Sequence, residues 1–491
     1  MPLSLLLLLV LPPLTGALCW VTRRPPRLEK VHIAGSLGTL IAGLALALEV
    51  FVGGPARVGA LHDLLYVDAL GALLIVVVAV VCFLAALYSV GYLRHDVETD
   101  KVKADQLRHY YAGYHAFVWT MLAVGAINNL GLLWVAVEAT TIVSALLVGF
   151  YRTQAALEAA WKYLILCSVG ILFALFGILL TYYAAAPVLG QEAGLNWTVL
   201  VANAGRLDPG MMKAAFVFVL VGFGTKAGFA PLHTWLPDAH SQAPSPISAL
   251  LSGVLLKCGL YGILRFHLIL IRMADPAFSA NLLLWFGLLS VAVAVPFILV
   301  QRDLKRLLAY HSVEHIGLLA TAIGLGGPIG FYAGLLHLFN HAMAKALLFF
   351  VAGNLSQRYG TTQMGRIRGA AQAMPATGAL LLLGTLAITG VPPFAIFLTE
   401  FGIVAAAFAS GHVAAAVILI GALAIVFAGA FGHAADMAWG RPRFRLVSVL
   451  MGRLGTVALA VPAVCAILFG VYVPPPVSQA IQQIVQIFTE R

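Results

Sequence analysis

Residues 221–266 read VGFGTKAGFAPLHTWLPDAHSQAPSPISALLSGVLLKCGLYGILRF, and this stretch decides the fold. It holds two apolar runs with the composition of lipid-buried helices, yet each run contains a lysine, Lys226 and Lys257. An ionisable side chain at the centre of an isolated transmembrane helix costs roughly 2.5–3.5 kcal/mol. We therefore expect both lysines to face a bundle interior, a partner charge or water.

The rest of the chain has the composition of an integral membrane protein. Of its 491 residues, 62% are hydrophobic and only 10% are charged, whereas a soluble globular protein carries about 25% charged residues. Apolar runs of roughly 20 residues recur along the whole length and predict an all-α membrane fold with about fourteen transmembrane helices. The alternating pattern of about ten residues that marks an outer-membrane β-barrel is not what these runs show.

The net charge of +10 reflects membrane topology rather than nucleic-acid binding. Basic residues concentrate in alternate loops, as the positive-inside rule expects of cytoplasmic loops. This pattern predicts a bacterial cytoplasmic (inner) membrane protein with both termini on the outer side. The predicted outer side keeps few basic residues: Arg57, Arg206, Lys213, Arg265, Arg272 and Arg491. The five cysteines form no CxxC or Cys/His pattern, so we predict neither a metal site nor a cofactor in this chain.

Two of the predicted helices are interrupted by glycine and proline. The first break contains Gly228 and Pro231, and the second contains Gly390, Pro392 and Pro393. Unwound backbone at membrane depth is tolerated only where it lines a cavity or is buried in protein. One broken helix in each half of the chain is typical of transporters built from inverted repeats.

Further ionisable residues lie within the predicted spans, and such residues are functional-site hypotheses by default. In the second half, His337, His341 and Lys345 follow one another at four-residue spacing and therefore share one helical face. Together these side chains could pass protons through the membrane. The predicted relay consists of Glu138, Lys226, Lys257, His337, His341, Lys345 and Glu400.

A second polar group lies near the predicted cytoplasmic end of another helix. His311 and His315 are four residues apart with Glu314 between them, and a histidine pair at this spacing could bind a metal ion. No HExxH motif accompanies the pair, so a proton relay is favoured over a metal site. A loop-facing cluster without a role in transport is the remaining alternative. His233, which follows the first break, is a further candidate for the relay.

Four long blocks resemble the antiporter-like membrane subunits shared by respiratory complex I, Mrp-type cation/proton antiporters and membrane-bound hydrogenases. The blocks are KAGFAPLHTWLPDAHSQAPSPISALLSG, RDLKRLLAYHSVEHIG, HLFNHAMAKALLFFVAGN and GVPPFAIFLTEF, and they occur in the family's order over residues 112–432. Within the family, WVAVEATTIVSALLVGFYRTQAALEAAWKYLILCSVG and AYHSVEHIG are most similar to component F of hydrogenase-4.

The resemblance implies a fourteen-helix core with two inverted five-helix repeats. It also implies a division of the chain into an N-terminal three-helix segment with a cytoplasmic loop, two repeats that each form a proton half-channel, and a last helix with an outer tail. These segments cover residues 1–111, 112–266, 280–432 and 433–491, respectively.

The resemblance further implies a proton-translocating subunit of a redox-driven complex, in which an ion pair between Glu138 and Lys226 acts as a two-state switch. The implied partners are other membrane subunits and a peripheral cytoplasmic redox module of the hydrogenase or NADH dehydrogenase type. A nickel–iron centre and iron–sulfur clusters would belong to those partners, because this chain offers no redox site. The alternatives are an Mrp-type Na⁺/H⁺ antiporter module and a membrane subunit that energises an inorganic-carbon uptake hydratase.

Overall fold

The computed structural model describes residues 2–57, 63–190, 194–273, 275, 277–440 and 452–489. Arg491 and part of the predicted segment 433–491 lie outside the described residues. The α-helices are α1 (Leu3–Val21), α2 (Pro25–Gly53), α3 (Ala69–Glu98), α4 (Leu107–Ala126), α5 (Leu130–Val148), α6 (Gln154–Leu189), α7 (Trp197–Ala202), α8 (Pro209–Ala227), α9 (Trp235–Gln242), α10 (Ser245–Leu250), α11 (Leu256–Ile271), α12 (Ala277–Val300), α13 (Leu304–Leu325), α14 (Gly327–Tyr359), α15 (Ala370–Ala373), α16 (Pro375–Ile388), α17 (Ala395–Ala409), α18 (Val413–Ala438), α19 (Arg453–Val471) and α20 (Pro475–Thr489). A two-stranded antiparallel hairpin pairs β1 (Ala56–Arg57) with β2 (Tyr66–Val67).

The described residues confirm the all-α membrane fold. Among them, 11 helices are long and apolar enough to cross a membrane, and α10 and α11 form one of these spans through a π-helical segment, Leu251–Leu255. Helices α4 and α13 are also long, with 20 and 22 residues, but carry more polar side chains. The count of about fourteen spans and the inverted repeats stay predictions.

Both predicted breaks interrupt helices of the bundle. Helix α8 ends where Gly228 adopts a left-handed conformation with φ of 83°, and the chain becomes helical again at α9. In the second half, α16 and α17 are separated by a turn in which Gly390 has φ of 63°. Glycine is favoured at both positions because it lacks the Cβ that disfavours positive φ.

The polar interior lies along the most enclosed helices. In the most apolar 18-residue window of the span formed by α10 and α11, 100% of the residues are buried, and in that of α14 the share is 94%. In the corresponding windows of α18 and α19 only 33% of the residues are buried, and these helices present apolar side chains outward. The lysines of α11 and α14 are therefore surrounded by protein and not by lipid.

The first and last described helices meet at the same end of the bundle. The Ser4 hydroxyl at the start of α1 donates to Glu49 near the end of α2, with 2.6 Å between the oxygens. Gln483 of α20 donates to the backbone oxygen of Phe51, also at the end of α2, over 3.1 Å. This agrees with termini on one side, and which side that is stays a prediction.

Much of the expected outer tail forms the amphipathic helix α20. Its apolar side chains recur at helical spacing and are buried against the bundle: Ile481, Ile484, Val485 and Phe488. The Ser478 hydroxyl lies 2.9 Å from that of Tyr332 at the start of α14. Burial of one apolar stripe holds this helix against α14 and α3.

Candidate functional site

Lys226 lies in the last turn of α8, where the first break begins. The break leaves backbone groups without helical partners, and side chains from other segments satisfy them. The Trp235 indole donates to the Thr225 carbonyl over 2.9 Å, and the Ala230 amide donates to the Ser290 hydroxyl over 3.0 Å. These bonds fix the unwound segment and hold the lysine in a defined position.

The Lys226 ammonium is completely buried among hydroxyl groups. Its Nζ donates to Thr141 Oγ1 over 2.8 Å and to the Tyr163 hydroxyl over 2.6 Å. It also lies 4.8 Å from the centre of the Tyr163 ring, a distance at which the π-face attracts a cation. The Tyr163 hydroxyl is in turn 2.7 Å from Ser144 Oγ.

The predicted direct ion pair between Glu138 and Lys226 is not formed in this structure. No oxygen–nitrogen contact within 4 Å joins the two in the described part of the chain. Glu138 is half-buried and accepts from Ser168 over 2.6 Å and from Thr141 over 3.2 Å. The Thr141 hydroxyl, which one turn of α5 places beside Glu138, therefore bridges the two groups.

Lys257 occupies the first turn of α11, directly after the π-helical segment. Its Nζ donates to the Gly253 carbonyl over 2.6 Å and lies 3.0 Å from His341 Nδ1 on α14. Both residues are completely buried. Single π-turns inside α-helices are frequent at functional sites, where they change the direction of nearby groups.

The histidines of α13 and α14 extend the contact made by Lys257. The ring centres of His341 and His315 are 4.8 Å apart, and His315 Nδ1 lies 3.0 Å from His337 Nε2. His337 Nδ1 lies 2.8 Å from the Thr399 hydroxyl on α17. In each close nitrogen pair one atom must donate and the other accept, so the arrangement shares protons between side chains. We call Lys257, His341, His315, His337 and Thr399 the histidine wire.

Lys345 and Glu400 lie beside this wire but make none of its contacts. The Lys345 ammonium donates to the backbone oxygen of Leu308 and lies 5.9 Å from the centre of the Phe349 ring. Glu400 is only 4% exposed, and its Oε1 has no hydrogen-bond partner among the described residues. A Cβ on Gly390 would overlap the Glu400 carboxylate, so the second break provides the space that this side chain occupies.

The secondary candidates divide between two places. His311 and Glu314 form a buried pair with 2.8 Å between Nδ1 and Oε2, and His315 belongs to the wire. The alternative of a loop-facing cluster is wrong, because all three residues are buried. His233 packs instead at 6.1 Å from the Tyr310 ring, apart from the wire.

A metal ion could be held at one position in the described part of the chain. Each of His311, Glu314 and His315 offers one ligand atom, and these three atoms lie within 4.8 Å of one another. The His311 nitrogen is already paired with the glutamate, and a nitrogen of His315 with His337. The second nitrogen of His315, Nε2, has no hydrogen-bond partner among the described residues, and the absence of a metal in this chain stays a prediction.

Several buried polar residues were not among the candidates from the sequence. Both ring nitrogens of His240 lack partners in the described ranges, and its ring stacks 5.0 Å from Phe349. Arg265, expected in an outer loop, is buried and holds Asp68 through two hydrogen bonds of 2.5 and 2.8 Å. The DAH triplet at residues 238–240, next to the first break, was the available signal for His240.

Comparison with known proteins places these residues within matched segments. A family model described as NADH:quinone oxidoreductase/Mrp antiporter, transmembrane, matches residues 127–427, which contain the candidate relay. A second model, the N-terminus of chain 5 of NADH-ubiquinone oxidoreductase (complex I), matches residues 61–101. The first match lies within the segment 112–432 over which the sequence resembles the antiporter-like subunits.

Individual relatives agree with the family match. The chain is 38% identical over 420 residues to a hydrogenase-4 component F homolog of Methylacidiphilum infernorum, covering 85% of this chain and 87% of that protein. It is 32% identical over 386 residues to hydrogenase-4 component B of Escherichia coli, covering 76% of this chain and 55% of that protein. These similarities confirm the predicted resemblance, including the one to component F.

A solved structure shows the same architecture over nearly the whole chain. A chain of the membrane-bound sulfane sulfur reductase, an archaeal respiratory membrane complex, superposes with a TM-score of 0.88 at 26% identity. The match covers 99% of this chain and 97% of that chain. The overall arrangement of helices is thus one already seen in a respiratory membrane complex.

Proposed function

This chain belongs to the NADH:quinone oxidoreductase/Mrp antiporter family of membrane subunits, and from this premise we propose that it carries protons through the membrane part of a redox-driven respiratory or hydrogenase complex. The observation that carries the proposal is the histidine wire, in which Lys257 and three histidines make consecutive contacts inside the membrane fold. The helices of this bundle otherwise pack through apolar residues. The fold therefore does not require a series of buried titratable side chains at hydrogen-bond or ring-contact distance.

The first half of the proposed path responds to charge at Glu138. An ionised Glu138 stabilises the Lys226 ammonium through Thr141, because the hydroxyl accepts from the lysine and donates to the carboxylate. Neutralising or displacing Glu138 removes this stabilisation, so Lys226 more readily releases its proton. A two-state switch thus works through one bridging hydroxyl and needs no direct ion pair.

The second half of the path receives the proton at Lys257. Its Nζ is the first atom of the wire, and His341, His315 and His337 follow it towards Thr399 on α17. Lys345 and Glu400 adjust the wire electrostatically from the side. We assign the first half-channel to residues 112–266 and the second to residues 280–432, with residues 1–111 and 433–491 flanking them.

The free energy for transport comes from partners in this proposal. The described residues offer no iron–sulfur or nickel–iron ligand set, so the redox chemistry belongs to a peripheral cytoplasmic module of hydrogenase or NADH dehydrogenase type. The chain is assigned to the bacterial inner membrane, with both termini on the outer side. Sodium transport is disfavoured, because hard cations prefer oxygen ligands and the wire consists mainly of lysine and histidine nitrogens.

Substitution of the first two relay residues in the intact complex tests the proposal. In proteoliposomes, Glu138→Gln or Lys226→Ala should abolish the redox-driven pH gradient while leaving part of the electron transfer, which does not pass through this chain. The matched control is Glu158→Gln, because the Glu158 side chain is 60% exposed and pairs with Lys162 on the surface of α6. Unchanged proton translocation in both relay variants would exclude the proposed role.

A further inference from the structure

A cavity outside the relay lies between the ends of α3, α14 and α19. It has a volume of about 210 Å³, and the described residues that line it include three arginines and a histidine but no acidic residue. The three arginines are Arg94, Arg358 and Arg453. All three lie on the face to which the positive-inside rule assigns the cytoplasm.

Two of these arginines keep an uncompensated charge. Arg94 is neutralised by Glu29, to which it donates two hydrogen bonds. Arg358 and Arg453 make no hydrogen bond or ion pair to the described part of the chain. The Nε atom of Arg358 is buried and has no hydrogen-bond partner among the described residues. Water would satisfy this atom in an arginine that faced open solvent. Arg358 as a whole is half-buried and Arg453 is exposed, and an anion in the cavity would supply the acceptor that Arg358 Nε lacks.

The first turn of α19 adds donors to the same cavity. Gly452, Arg453, Leu454 and Gly455 line it, and this turn has neither a side-chain cap nor an acidic residue. The first N–H groups of a helix have no partner within the helix and carry a partial positive charge. Arginine forks and free amides are the groups that bind phosphate oxygens in proteins.

The apolar part of the lining distinguishes a lipid from a free ion. Val90, Met374 and Leu454 share the cavity with the arginines. Its volume is below the ~300–1,000 Å³ of pockets that enclose drug-sized ligands, so it admits a headgroup and not a whole lipid. An exposed apolar stripe on α19, comprising Leu454, Val457, Val461 and Val464, continues from the cavity along the bundle. Acyl chains can lie along this stripe.

We propose that this cavity binds the phosphate group of an anionic phospholipid from the cytoplasmic leaflet, with Arg358 and Arg453 as the principal ligands. Basic pockets between transmembrane helices on this side of a membrane are suited to such headgroups. The bound lipid would join α19 to α3 and α14 through its phosphate. This role is independent of the proton path, because none of the relay residues lines the cavity.

The test is a lipid titration of the purified full chain in detergent, followed by native mass spectrometry. We expect phosphatidylglycerol to bind in preference to phosphatidylethanolamine. The double variant Arg358→Gln/Arg453→Gln should bind phosphatidylglycerol about 30-fold more weakly, because each arginine contributes to headgroup attraction. The control Arg24→Gln/Arg27→Gln removes the same charge from two exposed positions on the same face and should leave the affinity unchanged.

Additional measurements separate loss of the site from loss of the fold and from other ligands. The variant Arg358→Lys/Arg453→Lys keeps both charges and should recover most of the affinity. Equal phosphatidylglycerol binding by the wild type and the double glutamine variant would overturn the proposal. So would displacement of the lipid by millimolar inorganic phosphate, which would identify a free-anion site, or cross-linking of position 358 to an acidic segment of a partner subunit in the intact complex.

Discussion

At the scale of single residues, the Thr141 hydroxyl is the connection between the two charges of the first half. Its Oγ1 accepts from Lys226 over 2.8 Å and donates to Glu138 over 3.2 Å. A hydroxyl has a single proton to donate, so both contacts can form together only in this direction. The carboxylate and the ammonium therefore sense one another through a group that carries no charge.

Replacing Thr141 with valine tests this connection without changing the shape of the side chain. A hydrogen bond to a charged group contributes about 1.5–3 kcal/mol, and Thr141→Val removes one to each charge. We expect the ratio of protons translocated to electrons transferred to fall by roughly tenfold to a hundredfold. The ratio is measured in proteoliposomes that contain the intact complex.

Two matched variants show whether the effect is specific. Thr140→Val changes the adjacent buried threonine, whose hydroxyl donates to the Val137 carbonyl over 2.6 Å and does not contact Lys226. It should leave the ratio unchanged, and Thr141→Ser should preserve most of it. A normal ratio in Thr141→Val, or an equal loss in Thr140→Val, would contradict the bridging role.

A site residue can be predicted from the sequence when its side chain has a high free-energy cost in lipid. Glu138, Lys226 and Lys257 are conspicuous because an ionisable group inside an apolar run requires an explanation. Thr141 and Ser168 are not, because hydroxyl side chains are common in membrane helices and bond readily to their own backbone. The hydrogen bonds of Thr141 to both charges depend on how the helices pack, and the structure shows this bridge in place of a direct contact between Glu138 and Lys226.

At the scale of helices, the second break allows Glu400 to enter the interior. Gly390 has φ of 63°, and a Cβ at this residue would overlap the Glu400 carboxylate. Two independent constraints, backbone conformation and space, therefore require glycine here. Helix α17 begins shortly after this turn, at Ala395, and presents Thr399 towards His337 on α14.

Substituting alanine for Gly390 should disturb both the turn and the carboxylate. A residue with a Cβ in the left-handed region costs roughly 1–2 kcal/mol, to which the steric overlap adds. We expect Gly390→Ala to lower the thermal unfolding midpoint of the purified chain and to impair proton translocation. Gly421→Ala on α18 is the control, because nothing lies within 4 Å of its added methyl group. It should stabilise the helix slightly, and equal behaviour of the two variants would refute the requirement at Gly390.

Helix boundaries followed from sequence where the chemistry is local. Gly228 and Gly390 mark the two breaks because glycine and proline act on the backbone near their own positions. Helix α20 was missed because its glutamines interrupt the apolar run on which a search for membrane spans depends. Its stripe of Ile481, Ile484 and Phe488 becomes meaningful only beside the bundle surface that buries it.

At the scale of the whole molecule, the histidine wire links helices that are distant in sequence. Lys257 on α11 meets His341 on α14 across 84 residues of chain, and His337 meets Thr399 on α17 across 62 residues. No spacing rule connects positions so far apart. Composition and hydropathy predict a membrane bundle with buried charges, but only the packing of α11, α13, α14 and α17 orders these charges into a path.

Since this chain belongs to a family of NADH:quinone oxidoreductase and Mrp antiporter membrane subunits and is similar to a hydrogenase-4 component F homolog, we expect it to occur natively with a soluble electron-transfer module. Affinity purification of the tagged chain under mild detergent should recover iron–sulfur subunits with a nickel–iron or NADH-oxidising subunit. Substrate oxidation by the purified complex in liposomes should then acidify one side without added sodium. Recovery of a zinc-containing hydratase in place of the redox module would support the inorganic-carbon alternative instead. A pH gradient that forms only with sodium would mean that a cation, not a proton relay, crosses this chain.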